Sequence, residues 1–177
     1  MQQFPERKVH VFDSLSTGPE MILMLEKMRD LINQGLPFEK VIESIKHYQE
    51  SLHLTFMLSS VRNLARNGRV KKIEAAAVGM LGIRIVGRAS DKGDLELLSK
   101  TRGEKSGLKE MVKQIVALGC SGKKIVISHC CNEQGVRKLC ELLRIEYPHC
   151  SIAVTNTRGL CSYYAEEGGI MVGFECA

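Results

Sequence analysis

The chain has 177 residues, 44% of them apolar and 25% charged, with a formal net charge of +5. That composition belongs to an ordinary globular domain and excludes a disordered or collagen-like chain. A domain of this size buries roughly 70% of its extended-chain surface, so it needs no disulfide framework. The longest uncharged apolar run, residues 75–83, is about half of a membrane span, and the chain opens without a charged-then-apolar leader. Both point to a cytoplasmic protein with no integral membrane segment.

In chain order, "KVHVF" (8–12) alternates like a strand. "DSLSTGPE" (13–20) follows, with Pro19 at the first position of a helix in which Met21, Ile22, Met24, Leu25, Met28, Leu31 and Ile32 recur at helical spacing. Gly35 stops it, and Pro37 opens a second helix with Phe38, Val41, Ile42 and Ile45 on one face. "LHLTFMLSS" (52–60) is a strand, with Leu52, Leu54, Phe56 and Leu58 on one side. A short helix then ends at Gly68, and another is expected over 72–80. "IRIVGRAS" and "LELLSK" form a hairpin across "DKGD", lying on a core. Helix 106–118, strand "KKIVISH", helix 132–144, strand "SIAVTN", a short helix within "TRGLCSYYAEEGG" and strand "GIMVGFE" complete the pattern. Short apolar strands alternating with amphipathic helices define an α/β layered sandwich.

Charge is uneven. Residues 61–110 hold 12 Lys/Arg against 6 Asp/Glu, so the whole positive excess lies there. This favours an anionic ligand or acidic partner. Nucleic acid is not supported, because aromatics are only 5%, Trp is absent and no binding motif occurs. The seven cysteines are odd in number and lack a C-x-x-C, so they read as reduced, buried thiols rather than disulfides or metal ligands. His129 in "SHCC" reads as a satisfied histidine at a strand end, not half of a Cys–His nucleophile. Walker, G-x-G-x-x-G, H-E-x-x-H and G-x-S-x-G motifs are missing, which favours a binding protein needing no cofactor over an enzyme.

Ligands of α/β sheets gather at strand ends. Four loops qualify: "DSLSTGPE" with Ser14 and Ser16, "NGRV" with Arg69, "SKTRGEKSG" with Arg102, and "TRGLCSYYAEEGG". In the last, Gly159, Leu160, Cys161 and Ser162 begin a helix whose amides suit a carboxylate or phosphate. The competing reading makes that helix a mere connector.

Taken together, "VFDSLSTGPE", "NLARNGRVKK", "VGMLGIRIVGRAS", "LELLSKTRG", "IVISHCCN" and "TRGLCSYYAEEGG" resemble, in order and spacing, the bacterial DegV family of fatty-acid-binding proteins. The resemblance implies two α/β domains with a long-chain fatty acid between them. It also implies, for some members, service as the carrier that presents the acyl carboxylate to an ATP-dependent fatty acid kinase partner. By motif, Arg69 corresponds to the arginine near the carboxylate and Arg102 to a basic surface position facing the kinase. The C-terminal ligand loop often carries a histidine where Ala165 or Glu166 stands here, with Ser162 or Tyr164 as replacements. The family's first segment, with its Thr-Ser ligand motif, has no counterpart before Lys8, so residues 1–50 are expected to be a remnant of the N-terminal domain and 51–177 the C-terminal domain. Two alternatives stay open: an enzyme subunit handling phosphorylated small molecules, or a domain without a competent ligand site.

Overall fold

The computed structural model describes residues 6–69 and 82–177; the helix expected over 72–80 lies outside them. Twelve elements follow in chain order: α1 (Pro19–Asn33), α2 (Phe38–Glu50), β1 (Leu52–Leu58), α3 (Arg62–Arg66), β2 (Ile83–Ala89), β3 (Leu95–Arg102), α4 (Glu104–Ala117), β4 (Cys120–His129), α5 (Glu133–Glu146), β5 (Ser151–Asn156), α6 (Gly159–Ala165) and β6 (Ile170–Cys176). The strands form one sheet in the order β3-β2-β1-β6-β4-β5. Every pairing is antiparallel except β4 with β5. The α/β layered expectation holds.

Strand alternation divides the apolar residues between two faces. On one, Met57, Val86, Ile125, Ile127, Ile170, Val172 and Phe174 pack under Leu108, Met111 and Ile115 of α4 and Val136, Leu139 and Leu143 of α5. On the other, Leu52 and Val126 meet Leu23, Met24 and Leu31 of α1 and Val41 and Ile45 of α2. Further along this second face, Leu54, Phe56, Leu58, Ile85 and Met171 are covered by Val61 just before α3, by Leu64 of α3 and by Ala165 of α6. α1 and α2 thus pack on the same sheet as the helices that follow them in the chain.

One element differs from expectation. Residues 8–12 form no strand, and Val9 and Val11 are exposed. Alternation shows only that a segment can present one face; a strand also needs a neighbouring backbone to satisfy its amides and carbonyls. Residues 8–12 have none among the described residues. The cysteines differ too: none is paired, but only Cys120 is buried, five are half-buried and Cys131 is exposed. Most occupy helix or strand margins, where one side of the thiol meets solvent.

Candidate functional site

The registers place several loops at one end of the sheet. Leu58 of β1 lies opposite Ile85 of β2, Ile83 opposite Arg102 of β3, Met57 opposite Ile170 of β6, and Ile170 opposite His129 of β4. His129 in turn pairs with Asn156 of β5. The segment after β1, the end of β3, the β4–α5 turn and the β5–β6 connection therefore share an edge. Arg69, Arg102 and the α6 loop all belong to it.

Arg69 is positioned by backbone chemistry. Its N–H donates to Leu64 O (3.0 Å) and that of Gly68 to Ala65 O (3.1 Å), which is the paired bonding that closes a helix C-terminus. Gly68 takes the left-handed conformation this requires (φ 63°). The Arg69 side chain is exposed, as is that of Arg102.

The short helix is locked to its neighbours. The N–H of Asn63 donates to Glu166 Oε1 (2.9 Å), while Asn63 Nδ2 donates to Tyr163 O (2.8 Å) and Asn67 Nδ2 to Tyr163 Oη (3.1 Å). Glu166 thus supplies the negative charge that an exposed helix N-terminus favours, and Asn63 satisfies a carbonyl near the C-terminus of α6. On its other side, Ser162 Oγ lies 2.8 Å from Thr157 Oγ1. Thr157 bonds His129 O through both its N–H (2.8 Å) and its hydroxyl (3.2 Å). Cys161, Ser162 and Tyr164 are half-buried, whereas Arg158 and Gly159 are exposed and Leu160 is 67% exposed. The expected residues therefore separate: Cys161 and Tyr164 pack against the apolar cluster, Ser162 turns to Thr157, and the helix tip is exposed.

The "DSLSTGPE" loop lies over the second face. Thr17 Oγ1 sits 3.1 Å from Cys161 Sγ, and a methyl built on Gly93 would come within 3.2 Å of the Leu15 backbone. The loop thus bridges α6 and the β2–β3 turn. Ser14 Oγ donates to Ser16 O (3.0 Å), and Ser16 Oγ donates to the buried Glu20 carboxylate (2.5 Å). Burial pushes the Glu20 carboxyl above its ordinary range, with the Ser16 hydroxyl pulling the other way.

His129 is buried, and its Nδ1 accepts from the Asn132 N–H (3.1 Å), as a satisfied strand-end histidine should. Asn63 and Thr157 escaped the sequence reading, and Thr17 offered itself only as a helix-cap candidate, a position that Gly18 takes. Asn63 carried a weak signal, an amide side chain in the first turn of a helix; Thr157 gave none beyond being a hydroxyl in a loop. Half-buried Ala89, Leu95, Leu97, Cys130 and Tyr164 rim the cluster around Phe56, so the face offers apolar surface edged by hydroxyls and a thiol. Among the described residues, no group of three His, Cys, Asp or Glu could hold a metal ion. No described helix is long and apolar enough to cross a membrane.

A mixed six-stranded sheet covered by helices on both faces, with its polar loops at one edge, defines the class of α/β protein. Residues 1–175 match the family model described as "Uncharacterised protein, DegV family", and the chain belongs to that family. It is 46% identical over 175 residues to a DegV domain-containing protein of Streptococcus pneumoniae, covering 99% of this chain and 62% of the relative. Its fold is similar to that of the S. pneumoniae fatty acid kinase (Fak) B3 protein loaded with linoleic acid, at TM-score 0.94 and 45% identity, covering 99% of this chain and 63% of that one. A DegV family protein from Eubacterium eligens loaded with heptadecanoic acid gives TM-score 0.94 at 39% identity, covering 99% and 64%. The chain spans about 62% of the length of the curated relatives it matches.

Proposed function

We propose that this protein binds a long-chain fatty acid and performs no chemistry of its own. The observation that carries the reading is the correspondence of nearly the whole chain with relatives loaded with linoleic and heptadecanoic acids. The second sheet face supplies the apolar surface, with Phe56, Leu95 and Leu97 beneath the alkyl chain. Each methylene removed from water is worth about 0.8 kcal/mol, so the tail supplies affinity. The carboxylate needs compensating donors, because an unpaired buried charge costs several kcal/mol. Arg69 is the cation for that role, aided by Ser14, Ser16, Cys161, Ser162, Tyr164 and the backbone of Gly159 and Leu160.

Arg102, on the same sheet edge and exposed, is the residue we assign to an ATP-dependent fatty acid kinase partner, to which the bound acid presents its carboxylate. Native mass spectrometry of the protein purified from bacteria tests the binding. A copurified mass of a sixteen- or eighteen-carbon acid is expected, lost in Arg69→Ala; a clean protein that takes up no delipidated acid refutes the reading. With a purified kinase subunit and ATP, Arg102→Glu should retain the acid but lose acyl-phosphate formation.

A further inference from the structure

The face of the α4–α5 layer turned away from the sheet carries a feature that acyl binding does not use. A groove of about 380 Å³ runs between the two helices, lined by Lys109, Val112, Lys113 and Val116 of α4 and by Leu142, Ile145 and Glu146 of α5. Its apolar rims reach well into solvent: Val116 is 45% exposed and Ile145 73% exposed. Along α4, Lys105, Lys109 and Lys113 recur every fourth residue, so they stand on one stripe of the helix. All three are exposed. Among the described residues none takes part in an ion pair; of the acidic residues on α4, Glu104 is taken by Lys138 and Asn132, and Glu110, next to Lys109, accepts from Gln114 Nε2. A row of uncompensated ammonium groups beside an uncovered apolar trough is a surface whose charge and hydrophobicity both lack a counterpart.

We propose that this groove docks an amphipathic helix of a partner protein, with apolar side chains at helical spacing and a row of Asp or Glu along the flank that meets α4. From Lys109 to Val116 the groove follows α4 for about 10 Å, two turns of a docked helix. A third helix laid between two others buries its apolar stripe as in any helical layer. The opposite rim rules on the choice of partner. On α5, Glu141 and Glu146 are exposed beside Arg137, Arg144 and the Glu104-paired Lys138, so the α4 side carries an unbroken cationic row while the α5 side is of mixed sign, which fits and orients a polypeptide flank better than a uniformly anionic bilayer. Because the groove lies on the sheet face opposite the apolar cluster of Phe56, docking there is independent of the acyl site.

The test uses the full chain and a fluorescein-labelled 18-residue helical peptide with leucines at helical spacing and glutamates along one flank, read by fluorescence anisotropy. A second peptide replaces each glutamate by lysine. Saturable binding of the acidic peptide is expected, at least tenfold weaker for the lysine peptide, for Lys109→Glu/Lys113→Glu and for Ile145→Asp. The double charge reversal should gain affinity for the lysine peptide. All these positions are exposed, and circular dichroism with unchanged fatty acid uptake verifies that the variants stay folded. Failure of the acidic peptide to bind, equal binding of both peptides, or binding indifferent to the substitutions overturns the proposal. So does flotation of the protein with phosphatidylglycerol vesicles, abolished by the double reversal, when the acidic peptide does not bind.

Discussion

Asn132 joins three elements through one side chain. Its Oδ1 accepts from the Gly135 N–H (2.9 Å), capping α5, while Nδ2 donates to Gly168 O and to Glu104 Oε2 (both 3.0 Å). Truncation to alanine removes the cap and leaves partners in a buried setting unsatisfied, a loss of about 1–3 kcal/mol. Urea denaturation of Asn132→Ala should therefore show a lower midpoint with an unchanged slope; an unaltered midpoint would remove Asn132 from the structural account. Glu20 makes the opposite case. Its carboxyl is held above the ordinary 4.5 by burial, so ionisation is harder folded than unfolded. The stability it contributes is complete below the ordinary carboxylate range and is lost as pH rises through the folded-state value. Glu20→Gln should accordingly be more stable than the parent at pH 7, with the gain disappearing toward pH 4. Melting curves across that range check the sign.

Among elements, the decisive contact is between α1 and β6. A Cβ placed on Gly173 would lie 2.7 Å from the Glu20 backbone nitrogen and 2.8 Å from the Pro19 carbonyl carbon. The absent side chain lets the start of α1 rest on the sheet, and that seat positions the Ser14–Thr17 loop ahead of it. Gly173→Ala must push backbone from backbone. We expect a cost of roughly 1–3 kcal/mol and, because the loop moves with α1, weaker fatty acid uptake in a titration at a temperature where the variant stays folded. If stability falls while uptake is unchanged, the loop does not contribute to binding. The other elements show how much a linear pattern can disclose. Apolar spacing located β1, the β2–β3 hairpin, α4, β4, α5 and β6, because each buries a face whose period is set by its own backbone. It misjudged residues 8–12, whose alternation finds no partner strand among the described residues. Nor did it show that β6, last in sequence, lies between β1 and β4, since strand order depends on which backbone edges meet. The place of Arg69, just past a helix end, was legible through Gly68. The ties of Asn63 to Glu166 and of Thr157 to Ser162 were not, because they join residues whose proximity only the folded sheet creates.

For the whole molecule, the proposed acid binding would be linked to folding. Leu95 and Leu97 on β3 are only half-buried, beside an otherwise closed cluster, so this face keeps apolar surface that a ligand can cover. Anything that binds the folded chain alone raises its stability by RT ln(1 + [L]/Kd), about 2.7 kcal/mol at a hundredfold excess over Kd. In a domain of this size each kcal/mol moves Tm by roughly 2–4 °C, so saturating linoleic acid should raise Tm by roughly 5–10 °C. Leu97→Asp separates acyl cover from nonspecific detergent-like effects. Its half-exposed position lets the carboxylate hydrate in the free protein, whereas a bound alkyl chain would have to desolvate it at a cost of several kcal/mol. The variant should melt within a few degrees of the parent without acid and lose most of the ligand-induced rise. An equal rise in parent and variant would move the acyl chain off this face, because no alkyl tail lying over β3 could be indifferent to a charge beneath it.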